Sequence, residues 1–180
     1  MQQMSYTSPE NGPYAPAAPM DAYDAMTQPE YFQGVLSRRI LAFCIDAVII
    51  TAPIVFLAMA IFLFGIVTLS LGWMLFPVLG PAFVIWAIWY NAMTLGSPAS
   101  ATLGMRAMDI EMRTVYGAPA YALLGAVHAV GYWVSVSMLT PFVLLIALFN
   151  GRRRQLHDML VGVVIVNNEG RAMAIRQGPF

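Results

Sequence analysis

SRRILAFCID, residues 37–46, sets two arginines against an apolar run and then places a carboxylate, Asp46, inside that run. From Asp46 the chain continues to Arg106 without another Asp, Glu, Lys or Arg. That interval is about three times the roughly 20 apolar residues one membrane helix needs. Hydrophobic residues make up 59% of the chain and charged residues 10%, against roughly 25% charged in soluble domains. The reading that follows is an integral membrane protein. The carboxylate at its entrance must then face other helices or a wet cavity, because lipid cannot neutralise it.

The net charge is zero, and all nine basic residues are arginines spread over four places. No nucleic-acid patch emerges. With no lysine in the chain there is no phosphate-cradling loop of the lysine type. Cys44, the single cysteine, is expected to be a small packing residue inside the first apolar run. The N-terminus lacks a basic stretch followed by an apolar core, so no cleavable signal peptide is expected and the first helix serves as its own insertion signal.

Residues 1–33 form an expected disordered tail, rich in Pro, Ala, Tyr, Gln and Met and without sustained period. A first transmembrane helix is predicted over 40–67, kinked at Pro53. After a turn at 68–72 comes a second over 74–95, with Trp73 at one end and Trp86, Trp89, Tyr90 and Asn91 at the other, an interfacial aromatic belt. Residues 96–118 are polar enough to leave the bilayer. Within them Met108, Ile110 and Met112 alternate, a strand signature. Val163 to Val166 are β-branched and read as a second strand, expected to pair with 105–112. Residues 169–180 form a polar C-terminal tail.

The apolar run 119–150 raises the topological question. Its 32 residues at about 1.5 Å each span about 48 Å, too long for one crossing of a roughly 30 Å core and short for two. Arginine placement decides. With two crossings, all nine arginines share one side, as the preference of basic residues for the cytoplasm requires. The prediction is therefore two short passes, 119–135 and 138–150, broken near Thr140-Pro141, the last one short or re-entrant. Tyr132 and Trp133 then fall at the outer interface beside Trp73. The fold class is an all-α membrane protein. Its four passes form a polytopic helical bundle of two hairpins, with a small cytoplasmic two-strand element and both termini in the cytoplasm.

Arg39 and Asp46 are seven residues apart, on one helix face. About 10 Å separates their backbones along the axis, so each needs a third group. Small Ala42 between them lets another helix approach. Asp158, in RRRQLHD, follows the last apolar segment at the level of Arg39. An Arg39–Asp158 ion pair is expected, with an arginine from 152–154 (Arg153 and Arg154 being candidates) reaching Asp46. The pattern R-x-x-A-x-x-x-D at Arg39, Ala42 and Asp46 resembles the opening of the RDD family of small bacterial membrane proteins. So do T-L-G-M-R at 102–106, which includes Arg106, and L-H-D-x-x-x-G-x-x-I-V at 156–166. The likeness covers roughly 34–168, taken as the transmembrane domain. Valine stands at 161 and 163, where the family often has alanine and threonine. The resemblance implies that Arg39, Asp46 and Asp158 are the arginine and two aspartates of the family's name. It also implies a multi-pass protein of the bacterial inner membrane. Proposed cation/proton antiport by some members is the activity it offers.

Two functions from different classes follow. One is small-solute or monovalent cation/proton transport, with Asp46 titrating, Arg39 and Asp158 as a gate pair and His128 as a relay. Four short helices make a thin wall, so this reading requires a homo-oligomer. The other is a non-catalytic membrane scaffold that docks a cytoplasmic protein partner through its inner face. No enzyme is expected, since Ser97, Ser100 and Thr102 offer no nucleophile geometry. His128 is expected to pack between helices among Gly125, Ala126, Ala129 and Gly131, and His157 to sit beside Asp158, either at the surface or just behind the charge cluster. Separated in sequence, the two histidines predict neither metal nor cofactor.

Overall fold

A computed structural model describes residues 22–139 and 154–178. The run that opened the reading is helix α1 (Val35–Val67), 33 residues that continue unbroken through Pro53. It begins one turn earlier than expected, after Gly34 in left-handed conformation. At its far end Leu69 and Ser70 both have positive φ, and the Ser70 amide donates to the Gly65 carbonyl. The return is tight because two glycines meet. A Cβ on Gly72 would lie 2.7 Å from the Gly65 nitrogen, and one on Gly65 would enter the Trp73 ring. The second apolar stretch is not one α-helix. A 3₁₀ segment (Leu71–Val78) carries the chain into α2 (Leu79–Leu95), with Pro77 inside the 3₁₀ part, where a missing amide donor is tolerated.

Pro29–Val67 and Leu71–Leu95 are both long and apolar enough to cross a membrane, and only 6% and 11% of their most apolar windows is buried. Core helices of a soluble protein would be covered. Here Phe56, Leu63, Ile66 and Ile85 stand more than half exposed, an outer surface that suits lipid rather than water. Cys44 is exposed among them, which corrects its expected packing role. α4 (Ala122–Leu139) lies against α2. Small residues set their separation: a Cβ on Gly96 would lie 2.6 Å from the Ala122 backbone, and one on Gly125 would meet the Asn91 carbonyl.

The polar segments build a head at one end of these helices. α3 (Leu103–Ala107) is followed by β1 (Ile110–Thr114). α5 (Leu156–Val161), β2 (Val163–Asn167) and α6 (Glu169–Gln177) come after α4. The strands form an antiparallel pair with Met112 opposite Ile165. The predicted alternation is present: Ile110 and Met112 are buried in a core with Val35, Ala42, Leu95, Met105, Val163 and Ile165. β2 is buried on both faces. Its second face, Val164 and Val166, is covered by Phe32 with Tyr23 and Tyr31.

Two segments read as tails are thus ordered in part. Residues 29–31 form a 3₁₀ turn, and the Asn167 amide donates to the Glu30 and Gln33 carbonyls at 2.8 and 3.0 Å. Residues 169–177 are helical because Asn168 caps them, accepting from the Arg171 amide at 2.9 Å. Tyr31 donates to Glu169 at 2.6 Å, and Arg176 pairs with Glu30. The predicted short pass at 138–150 and its break at Thr140-Pro141 lie largely outside the described residues, as does Arg153.

Candidate functional site

Two carboxylates tie the head to the helices. Asp46, one turn beyond the buried Ala42, accepts three hydrogen bonds. Tyr90 of α2 donates its hydroxyl to Oδ1 at 2.5 Å, and the Gly104 amide reaches the same oxygen at 2.9 Å. Thr102 donates to Oδ2 at 2.6 Å. Thr102 is also the cap of α3, accepting from the Met105 amide at 3.1 Å, as cap residues do. The Tyr90 hydroxyl in turn accepts from the Leu103 amide at 3.1 Å. One carboxylate therefore joins α1, α2 and α3. Gly104 is obligatory here: a Cβ would lie 2.2 Å from the Ala42 carbonyl and 2.8 Å from the Asp46 carboxylate.

Of the arginines expected at Asp46, Arg152 and Arg153 lie outside the described residues. Among the described residues the donors to Asp46 are two hydroxyls and a backbone amide. Arg106 is occupied elsewhere, donating to the Ala101 carbonyl and to Ser97 at 2.6 Å. Arg154 donates to the Asp158 carbonyl at 3.1 Å, and Arg38 to the Met108 carbonyl at 2.6 Å.

Asp158 is fully buried. Arg39 Nη1 donates to its Oδ2 at 2.6 Å, across 119 residues of sequence. The Gln155 amide donates to that oxygen too, at 2.8 Å, which fixes the carboxylate at the first turn of α5. Burial raises the Asp158 pKa. The Arg39 charge, with help from His128, outweighs it and brings the carboxyl down to about 2. The other oxygen, Oδ1, faces two imidazoles: His157 Nε2 at 3.4 Å and His128 Nδ1 at 3.6 Å. Neither contact is a hydrogen bond, and Oδ1 and His128 Nδ1 are buried without a hydrogen-bond partner.

His157 is 1% exposed, which removes the surface alternative and leaves the place behind the charge cluster. Burial pushes its pKa below the usual histidine value, so it is neutral near pH 7. The edge of Tyr132 packs on it, with ring centroids 5.4 Å apart, and Tyr132 also touches Phe43. Tyr132 therefore belongs to the Asp158 end of the bundle rather than beside Trp73, which stacks on Phe62. The two histidines, 29 positions apart in sequence, have ring centroids 4.9 Å apart. With Asp158 they bring three potential metal-ligand atoms within 4.8 Å of one another.

Sequence reasoning missed Tyr90 and the roles of Thr102 and Gly104. Tyr90 read as an interfacial aromatic because it closes an apolar helix. The other two carried a usable signal. A threonine before a helical turn is a cap, and a glycine two residues later marks close backbone approach.

No curated protein and no solved structure matches the chain. The sequence profile of the RDD family matches residues 34–162, a span that holds α1 to α5 and with them Arg39, Asp46 and Asp158. The family and the two uncovered apolar helices both point to a membrane protein. With residues 34–162 of 180 matched, well over half its length, the chain belongs to the RDD family.

Proposed function

We propose that this chain is a four-pass protein of the bacterial inner membrane, termini inside, that serves as a scaffold. Its helices hold a rigid cytoplasmic head against the bilayer for a protein partner. One observation carries this reading: the bonds of both aspartates go to tying elements together. Asp46 accepts from three donors on two other elements, and Asp158 holds Arg39. A carboxylate that binds and releases an ion in each cycle must shed such partners, and each buried donor left unpaired costs about 1–3 kcal/mol. The geometry of Asp46 is that of a pin.

The test is flux. Purified protein in liposomes, under a sodium or potassium gradient with an internal pH dye, is expected to behave like empty vesicles. Proton movement that depends on the gradient and disappears in Asp46→Asn would overturn the scaffold reading. It would establish the second one, permeation of a monovalent cation or proton. That alternative is favoured by a single feature, the Asp158 oxygen turned toward His128 on an apolar helix. Reporter fusions after Ser100 and Phe180 should both register cytoplasmic; a periplasmic signal at Phe180 removes the fourth pass.

A further inference from the structure

Asp158 Oδ1, His157 Nε2 and His128 Nδ1 come together from α4 and α5 with no hydrogen bond among them. Buried polar atoms in folded proteins nearly always have a partner, so the unpaired Oδ1 and His128 Nδ1 call for a shared one. The distances say what kind. Two ligands bound tetrahedrally to one ion at about 2.0–2.1 Å stand about 3.4 Å apart. The carboxylate oxygen is 3.4 Å from one imidazole nitrogen and 3.6 Å from the other; the three atoms together span up to 4.8 Å, so one imidazole turns inward to bring both nitrogens onto one ion. Hydrogen bonds would draw these pairs closer, to about 2.7–3.2 Å.

We propose that His128, His157 and Asp158 bind a divalent transition-metal ion, of which Zn²⁺ is the representative, through two imidazole nitrogens and one carboxylate oxygen.

The surroundings support it. Two nitrogens and one carboxylate oxygen, without thiolate, suit Zn²⁺ or Fe²⁺ and disfavour Mg²⁺ and Ca²⁺. The carboxylate is held through its other oxygen by Arg39 and the Gln155 amide, which leaves Oδ1 free to point at the histidines. Such outer contacts orient a ligand. The His157 ring packs at right angles against Tyr132, ring centroids 5.4 Å apart. Because Arg39 shares the carboxylate's charge, the site binds less tightly than a three-ligand site without a neighbouring cation. The proposal does not depend on whether ions cross the membrane.

Full-length protein, purified in detergent, freed of tags and treated with chelator, is titrated with Zn²⁺ by calorimetry and with Co²⁺ by visible absorption. One ion per chain is expected, with the absorption of a four-coordinate cobalt site and a rise in Tm on adding Zn²⁺. His128→Gln, which leaves the Arg39–Asp158 bond untouched, should weaken binding at least tenfold and abolish the Tm rise; His157→Gln should do the same. Absence of stoichiometric binding, or binding unchanged in both variants, overturns the proposal. X-ray absorption of the zinc-loaded wild type gives a reading that needs no variant: two imidazoles support it, and oxygen ligands alone refute it.

Discussion

At Asp158 a buried ion pair decides more than its net energy. Arg39 and Asp158 side chains are 9% and 0% exposed, so removing either breaks a pair that lies away from solvent. Arg39→Ala or Asp158→Ala should cost about 3–5 kcal/mol, seen as a lower Tm in detergent. The double replacement Arg39→Met with Asp158→Leu should recover most of that loss, because apolar groups of similar volume often replace a buried pair without penalty. A double variant as unstable as the singles would show that the charges do something beyond pairing. At Asp46 the effect is smaller. Tyr90→Phe removes one charge-assisted donor and should cost about 1.5–3 kcal/mol. Gly104→Ala, forced against the Ala42 carbonyl, should cost about 1–3 kcal/mol even though nothing polar is lost. The Asp46 partners were not legible in sequence, because hydrogen bonds to a hydroxyl and an amide leave no charge pattern to read. The Arg39–Asp158 contact was legible, since Asp158 follows the last apolar segment and so falls at the level of Arg39.

Strong periodicity showed through at the level of elements, and polar context hid the rest. β1 was readable because Ile110 and Met112 alternate into the core. α3, a single turn, is too short to show a helical period, and the 3₁₀ segment at 71–78 is as apolar as the helix it precedes. α6 read as a tail because its order comes from partners far away in sequence, Tyr31 and Glu30. That latch has a pH dependence. The Arg176 guanidinium, bonded to the Glu30 carboxyl, lowers its pKa below the ordinary value of 4.5. A depressed acid contributes fully above its unfolded pKa and loses that contribution as pH falls through its folded one. The latch should therefore hold at pH 6 and loosen below about pH 4.5. Spin labels at Met26 and Met173, in a Cys44→Ala background, should give a narrow distance distribution at pH 6. At pH 3 it should broaden. Equal widths would mean that Phe32 packing alone holds the segment.

For the whole molecule, composition carried the architecture: two helices with almost nothing covering them and a head assembled from the polar remainder. What composition left unsaid is how the parts are joined, because each join uses residues from distant places. β1 waits for β2, and α1 waits for α5. Substituting Val166→Asp should loosen the head as a unit, since this residue is fully buried under Phe32. Proteolysis should then cut within 96–118 and 163–177 while α1 and α2 stay intact.

The reach of 119 residues from Arg39 to Asp158 has a temporal meaning. At a ribosomal rate of about 5–20 residues per second, the guanidinium spends roughly 6–24 seconds in the growing chain before its counter-ion has been made. A polypeptide cut short anywhere before α5 never forms this ion pair. The link that fastens the first helix to the head is thus among the last contacts the nascent chain can make.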